Sequence, residues 1–130
     1  MFRNKAKQII KDHILSTCEK IKEVKAGELR YNYKCHLNSV HHALCENHLK
    51  IAMCFYMDGD LPIIHFINVS VNKVYTDNTL GVWCTKHDYY LIKLIDSSEF
   101  WDIEKTFSAY RKEIMRKLPF YVRWFNPNIF

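Results

Sequence analysis

Three residues in this chain have the types needed for acyl-transfer chemistry. Cys35 opens a helical stretch in Tyr33-Lys34-Cys35-His36-Leu37-Asn38, where the dipole of a helix N-terminus favours the thiolate. His65 lies within a strand-like run, Ile63-Ile64-His65-Phe66-Ile67, and Asp77 lies in the next one, Tyr75-Thr76-Asp77-Asn78-Thr79. A thiolate that attacks a carbonyl, a base that protonates the leaving group and a carboxylate that orients the base are the parts such a reaction requires.

Hairpin register ties the last two together. With Ser70-Val71-Asn72 as a three-residue loop, residue 65 faces residue 77, and both side chains share one face. With Val71-Asn72 alone as the loop, His65 faces Asn78 instead. Either Asp77 or Asn78 could orient an imidazole. The pattern His65-Phe66-x-Asn68, then Lys73-x-Tyr75-x-Asp77-x-Thr79-x-Gly81-x-Trp83, resembles the His and Asp strands of transglutaminase-like and related papain-fold cysteine enzymes. The resemblance covers roughly residues 31–95. It implies a helix carrying the cysteine, packed on a small antiparallel sheet. Cys35 would be the nucleophile, His65 the base and Asp77 the orienting group. The oxyanion donors stay open, with the Cys35 backbone N–H plus Asn32 or a Tyr31 group as candidates.

The elements that must position these residues follow from periodicity. Ala6, Ile9, Ile10, Ile14, Cys18 and Ile21 recur at helical spacing, which predicts an amphipathic helix from about Lys5 to Val24, ended by Ala26-Gly27. A second helix is expected from about Cys35 to His48, with Leu37, Val40 and Leu44 as its apolar face. Four strands are expected, at Lys50–Met57, Ile63–Val69, Lys73–Thr79 and Tyr89–Ile95, the first two joined by a turn at Asp58-Gly59-Asp60. A last helix spans Glu99 to Leu118, capped by Ser97 or Ser98 and closed by Pro119. The aromatic tail, Phe120 to Phe130, is expected to pack back on the body. The fold class is therefore α+β in one domain, residues 1–130: a papain/transglutaminase-like core with flanking N- and C-terminal helices.

Other readings compete for the same residues. A free cysteine is most often a small core hydrophobe, and Cys45, Cys54 and Cys84 are read so, as is the Trp83, Tyr89 and Tyr90 cluster. Asp77 before Asn78 also fits a turn. His41, Cys45 and His48 share one side of the second helix, but four converging ligands are not in view, so no metal is expected. His41 and His48 are placed on the Leu37/Leu44 face and expected to be buried. Lys5, Lys7, Lys11, Lys20, Lys22, Lys25, Arg111, Lys112, Arg116, Lys117 and Arg123 could follow phosphates. They are interleaved with Asp12, Glu19, Glu23 and Glu113, however, and no phosphate-binding loop is present, so nucleic acid is not the expected partner.

Composition bounds the rest. At 130 residues and 48% hydrophobic, the chain can bury one core and is not of disordered type. Its apolar runs are too short to span a bilayer and its start lacks a signal-type stretch, so no membrane partner is expected. The five cysteines, Cys18, Cys35, Cys45, Cys54 and Cys84, have no framework spacing and read as free thiols of a reducing, cytoplasmic compartment. Abundant Lys, Asn, Ile, Tyr and Phe match the codon usage of an AT-rich genome, such as many phages have. The expectation is a cysteine protease-like hydrolase or transglutaminase-like enzyme with a catalytic triad and no cofactor. Its substrate would be a protein or peptide: a host protein in the host cytoplasm, if the chain is a viral protein encoded by a phage. The alternative is a non-catalytic protein-binding module on the same fold, a viral inhibitor of a host factor. Oligomeric state is not legible.

Overall fold

The computed structural model describes residues 2–29, 34–45, 50–59 and 61–120. The elements run α1 (Phe2–Thr17), β1 (Glu19–Ile21), β2 (Val24–Ala26), α2 (Cys35–Cys45), β3 (Lys50–Asp58), β4 (Leu61–Val69), β5 (Tyr75–Asp77), β6 (Tyr89–Ile95) and α3 (Ile103–Arg116). Short 3-10 turns at Gly81–Lys86 and Ser97–Asp102 precede β6 and α3. Helices and strands form one mixed α/β structure around a six-stranded sheet of order β1-β6-β3-β4-β5-β2. Strands β1 and β2 lie at opposite ends of that order, yet only Lys22 and Glu23 separate them in the chain. The sheet must curl to bring its two edges that close. Neighbouring strands run antiparallel, apart from β2, which runs parallel to β5.

Strand alternation divides the apolar residues between two faces. Ile51, Met53 and Phe55 of β3, with Ile64 and Phe66 of β4, meet Ala6, Ile10 and Ile14 of α1, Ala43 of α2 and Ile103 and Ile114 of α3. The intervening Ala52, Cys54, Ile67 and Val69 form a second cluster inside the curl with Ile21, Cys84 and Tyr89. His65 is paired directly with Cys54, which sets its side chain on this second face.

The first helix is shorter than its periodicity predicts. It stops at Thr17, where the Ser16 and Thr17 hydroxyls both donate to the His13 carbonyl, at 3.1 and 2.6 Å, and compete with helix continuation. Cys18 and Ile21 are buried to different extents for other reasons. Cys18 packs with the helices, whereas Ile21 belongs to β1 and packs inside the curl. Ala26-Gly27 is thus the end of a strand and not of a helix. Gly27 donates to the Asp77 carbonyl at 2.9 Å. A Cβ there would overlap Asn78 Oδ1 and come within 2.8 Å of the Asp77 carbonyl oxygen, so β2 can approach β5 this closely only through glycine.

The other departures are local. The last helix begins at Ile103, after the 3-10 turn, and neither Ser97 nor Ser98 caps it. Trp83 is 44% exposed and so is not core, while Tyr89 is buried. Cys45 is exposed, whereas Cys54 and Cys84 are buried, and all five cysteines are free thiols. The expected tail at 121–130, the end of the second helix at 46–49, including His48, and the residues at 30–33 lie outside the described residues.

Candidate active site

The segments 61–69 and 75–77 pair antiparallel, but in a register two residues away from the one that sets His65 opposite Asp77 and one away from the one that sets it opposite Asn78. Asn68 faces Thr76 and Val69 faces Tyr75. The connection is longer than two or three residues: Ser70 closes it by donating its N–H to Val74 C=O at 3.0 Å, and Lys73 takes a left-handed φ of 60° within it. His65 is therefore directly opposite neither Asp77 nor Asn78. A shift of two preserves the face of every side chain. His65 and Asp77 meet diagonally, with His65 Nε2 2.8 Å from Asp77 Oδ2. Asp77 also ends its own strand, because its Oδ1 accepts the N–H groups of Thr79 (2.9 Å) and Leu80 (2.8 Å). The turn reading and the orienting reading of this residue both hold in the geometry.

Cys35 is the first residue of α2 and is half-buried. It reaches His65 where β4 has no strand partner on its β5 side, since β5 pairs only with Asn68 and Val69. The groups that act on its sulfur are His36, His65 and the Phe66 backbone N–H. His65 uses Nε2 for Asp77, which leaves Nδ1 as the nitrogen that serves Cys35. Burial pushes the Cys35 thiol up, but the bonds from His36 and then His65, the His65 charge and the Phe66 N–H outweigh it and bring it down to about 6. Burial alone would lower His65; its hydrogen bonds to Asp77 and Cys35, and the charges of both, push it up to about 10. Burial raises Asp77, and the bond from His65 and its charge overcome this and hold the carboxyl below its usual range. These shifts all favour a thiolate–imidazolium–carboxylate arrangement at neutral pH.

A buried polar scaffold fixes this geometry. Sequence periodicity puts Leu37, Val40 and Leu44 inward, but Leu37 is 43% and Leu44 49% exposed, and Asn38, Ser39 and Ala43 are buried instead. The reason lies in hydrogen bonding. Asn38 Nδ2 donates to Thr79 Oγ1 at 2.9 Å, Ser39 Oγ donates to the Phe66 carbonyl at 3.0 Å, and Asn68 Nδ2 donates to the Ser39 carbonyl at 2.9 Å. These bonds tie α2 to β4 and to the turn after β5, the two segments that carry His65 and Asp77. Each is satisfied in a low-dielectric setting, where loss of a partner is costly. The same rotation of α2 leaves His41 exposed, not buried.

Asn78 does not orient His65. Its Nδ2 donates to Asn68 Oδ1 at 2.8 Å, and its Oδ1 accepts the Glu28 N–H at 3.1 Å. Asn32 and Tyr31 lie outside the described residues. Among the described residues, no group of three or more His, Cys, Asp or Glu side chains converges as a metal site would require, and no helix is long and apolar enough to cross a membrane.

Three contributors were not singled out by sequence reasoning. Tyr89 donates its hydroxyl to Asp77 Oδ2 at 2.6 Å. Burial, with the nearby Asp77 charge, pushes its phenol far up, so it stays a donor. Tyr56 stands edge-on to His65, with ring centroids 5.0 Å apart, and encloses it. His36, beside Cys35 in the chain, is bonded to Glu104 at 3.1 Å. Adjacency was a visible signal for His36, whereas nothing local marks Tyr89 or Glu104. No family model, curated protein or solved structure matches the chain.

Proposed function

We propose that the chain is a thiol-dependent acyl-transfer enzyme built on a papain/transglutaminase-like core, acting on a protein or peptide. The observation that carries this reading is the buried His65–Asp77 pair, 2.8 Å apart, with His65 acting on the Cys35 thiol at the start of α2 and helping to bring it down to about 6. The order of the parts agrees: a cysteine at a helix N-terminus, then histidine and aspartate on successive strands of a sheet against which the helix packs.

The chemistry runs as follows. Cys35 thiolate attacks the carbonyl carbon of an amide or ester. The oxyanion that forms is met by the Cys35 backbone N–H, which belongs to the helix turn whose N–H groups make no intrahelical bonds. As the bond to the leaving group breaks, imidazolium gives it a proton, and a thioester remains on Cys35. Water, or an amine, then attacks the thioester and gives its proton to the neutral imidazole, and the thiolate departs.

A second reading is a protein-binding module. The exposed side chains of Leu37 and Leu44 on α2 favour it. Reaction with p-nitrophenyl acetate separates the two. The enzyme reading expects a burst of p-nitrophenolate with one acetyl group on Cys35 by peptide mass analysis. That modification should be lost in Cys35→Ser and slowed about tenfold or more in His65→Ala, which removes a positive charge that stabilises the thiolate. Acetylation that spares Cys35, or that is indifferent to His65, would favour the binding module.

A further inference from the structure

His65 has a limitation as a proton donor to a leaving group. Its side chain is 5% exposed, and Asp77 holds one ring nitrogen. Tyr56 and Tyr89 lie against the ring, with centroids at 5.0 and 6.2 Å. The other face of the Cys35 sulfur is different. His36 follows Cys35 directly in α2, acts on the same sulfur and has a carboxylate of its own, with His36 Nε2 3.1 Å from Glu104 Oε1. Its ring lies parallel to that of Phe107 on α3, within 8° and 6.5 Å between centroids, and meets the edge of Phe66 at 6.2 Å. The ring is thus fixed on two sides, while Glu104 stands 74% exposed to water. Two imidazoles, each with a carboxylate, act on one sulfur: His65 is buried with its Asp77, whereas His36 is 19% exposed and its Glu104 opens to water.

We infer that the two histidines divide the work, with His65–Asp77 holding the thiolate and His36–Glu104 carrying protons between the leaving group and solvent. This rests on the acyl-transfer reading above and assigns its proton-transfer step. As the bond from the carbonyl carbon to the leaving oxygen or nitrogen breaks, its electron pair stays with the leaving atom. The His36 Nδ1 proton passes to that atom, and His36 becomes neutral while His65 stays imidazolium. Water then adds to the thioester carbon and returns a proton to His36, and the electron pair of the carbon–sulfur bond goes back to sulfur. Cys35, and less so Glu104, push the His36 imidazole up against the lowering effect of burial, which favours its proton-bearing form.

The test uses acetate esters of phenols and alcohols of graded leaving-group pKa, with the acylation rate of Cys35 read for each. The slope of log rate against leaving-group pKa is independent of the fraction of thiolate. Wild type should give a shallow slope, because the leaving atom is protonated as it departs. His36→Gln should keep the p-nitrophenyl ester within a few-fold of wild type, yet fall about 100-fold or more behind on alkyl esters. Glu104→Gln, an exposed change that the fold tolerates, should steepen the slope in the same direction by less. An unchanged slope in both variants, or a steepened slope in His65→Gln alone, would overturn the assignment. A wild type that is not acylated on Cys35 even by p-nitrophenyl acetate defeats the acyl-transfer reading itself, a distinct result.

Discussion

Iodoacetamide at pH 6 should alkylate Cys35 about ten times faster than a free cysteine in the same solution, and above pH 9 the order should reverse. An ordinary thiol with pKa near 8.5 is about 0.3% ionised at pH 6. Cys35, brought down to about 6, is half ionised there. The gain in thiolate is roughly 150-fold, but a thiolate less basic by about 2.5 units loses roughly 10- to 20-fold in intrinsic nucleophilicity. The product leaves an advantage of about ten at pH 6 and a deficit above pH 9, where both thiols are ionised. Other cysteines in the chain should lag at pH 6, because burial pushes Cys18, Cys54 and Cys84 up. His65→Ala removes both a hydrogen bond and a positive charge from the thiolate and should slow Cys35 alkylation at pH 6 by about tenfold or more. Asp77→Ala should slow it less, because Asp77 acts through His65. Equal labelling of Cys35 and free cysteine at pH 6, unaffected by His65→Ala, would mean that the thiol is not activated.

Asp77→Asn should be among the most destabilising single substitutions in the chain. The carboxylate is fully buried and accepts four bonds: from His65 Nε2 and Tyr89 Oη on one oxygen, and from the Thr79 and Leu80 N–H groups on the other. An amide of the same shape replaces one acceptor by a donor, and either placement sets it against two donors. Removing one charge of a buried pair costs about 3–5 kcal/mol, which for a domain of this size lowers the melting temperature by roughly 10–20 °C. Tyr89→Phe, which loses one donor to the charge, should cost about 1.5–3 kcal/mol. The pH dependence has a definite sign. The Asp77 carboxyl is held below its unfolded value of 3.8, so its contribution is present above that value and is lost as pH falls through the folded one. The gap between wild type and Asp77→Asn should therefore be full at neutral pH and narrow in acid. Calorimetry that finds a loss under about 1 kcal/mol, or a gap that does not narrow, would contradict the described role of Asp77.

The parts of this site that could be read in the sequence are those with local signatures. The apolar, strand-like runs around Ile51–Phe55 and Ile63–Val69 marked two central strands, and the parity of the strand period kept His65 and Asp77 on one face although the connection was longer than expected. The helix start at Cys35 was legible as well. What was hidden depends on tertiary context. The Leu37/Leu44 stripe faces outward because Asn38 and Ser39 find buried partners on Thr79 and Phe66, some 27 to 41 residues away in sequence, and hydrogen bonds of that range leave no periodic trace. Ile21 continued a helical spacing by coincidence and belongs to a strand that pairs with Tyr89, a partner on the far side of the domain's sequence. Tyr89 itself reads as core, and is core, but its hydroxyl happens to fall on Asp77 only because the sheet curls.

In the proposed mechanism Cys35 and His65 form an ion pair at neutral pH. Stability measurements see it poorly. The Cys35 pKa is depressed from 9.0, so its contribution is full above 9.0 and lost as pH falls through about 6. The His65 pKa is raised from 6.5, so its contribution is full below 6.5 and lost as pH rises through about 10. Between about 6.5 and 9 the proton that one group has lost is the proton that the other has kept, so folded and unfolded chains bind the same number and stability is flat in pH. Thiolate absorbs in the ultraviolet and thiol does not, so the direct measurement is the pH titration of that absorbance, wild type minus Cys35→Ser. One thiolate equivalent should appear with a midpoint near pH 6, moved up by about two units or more in His65→Ala. A difference spectrum that rises only above about pH 8, in the range of an ordinary thiol, would contradict it.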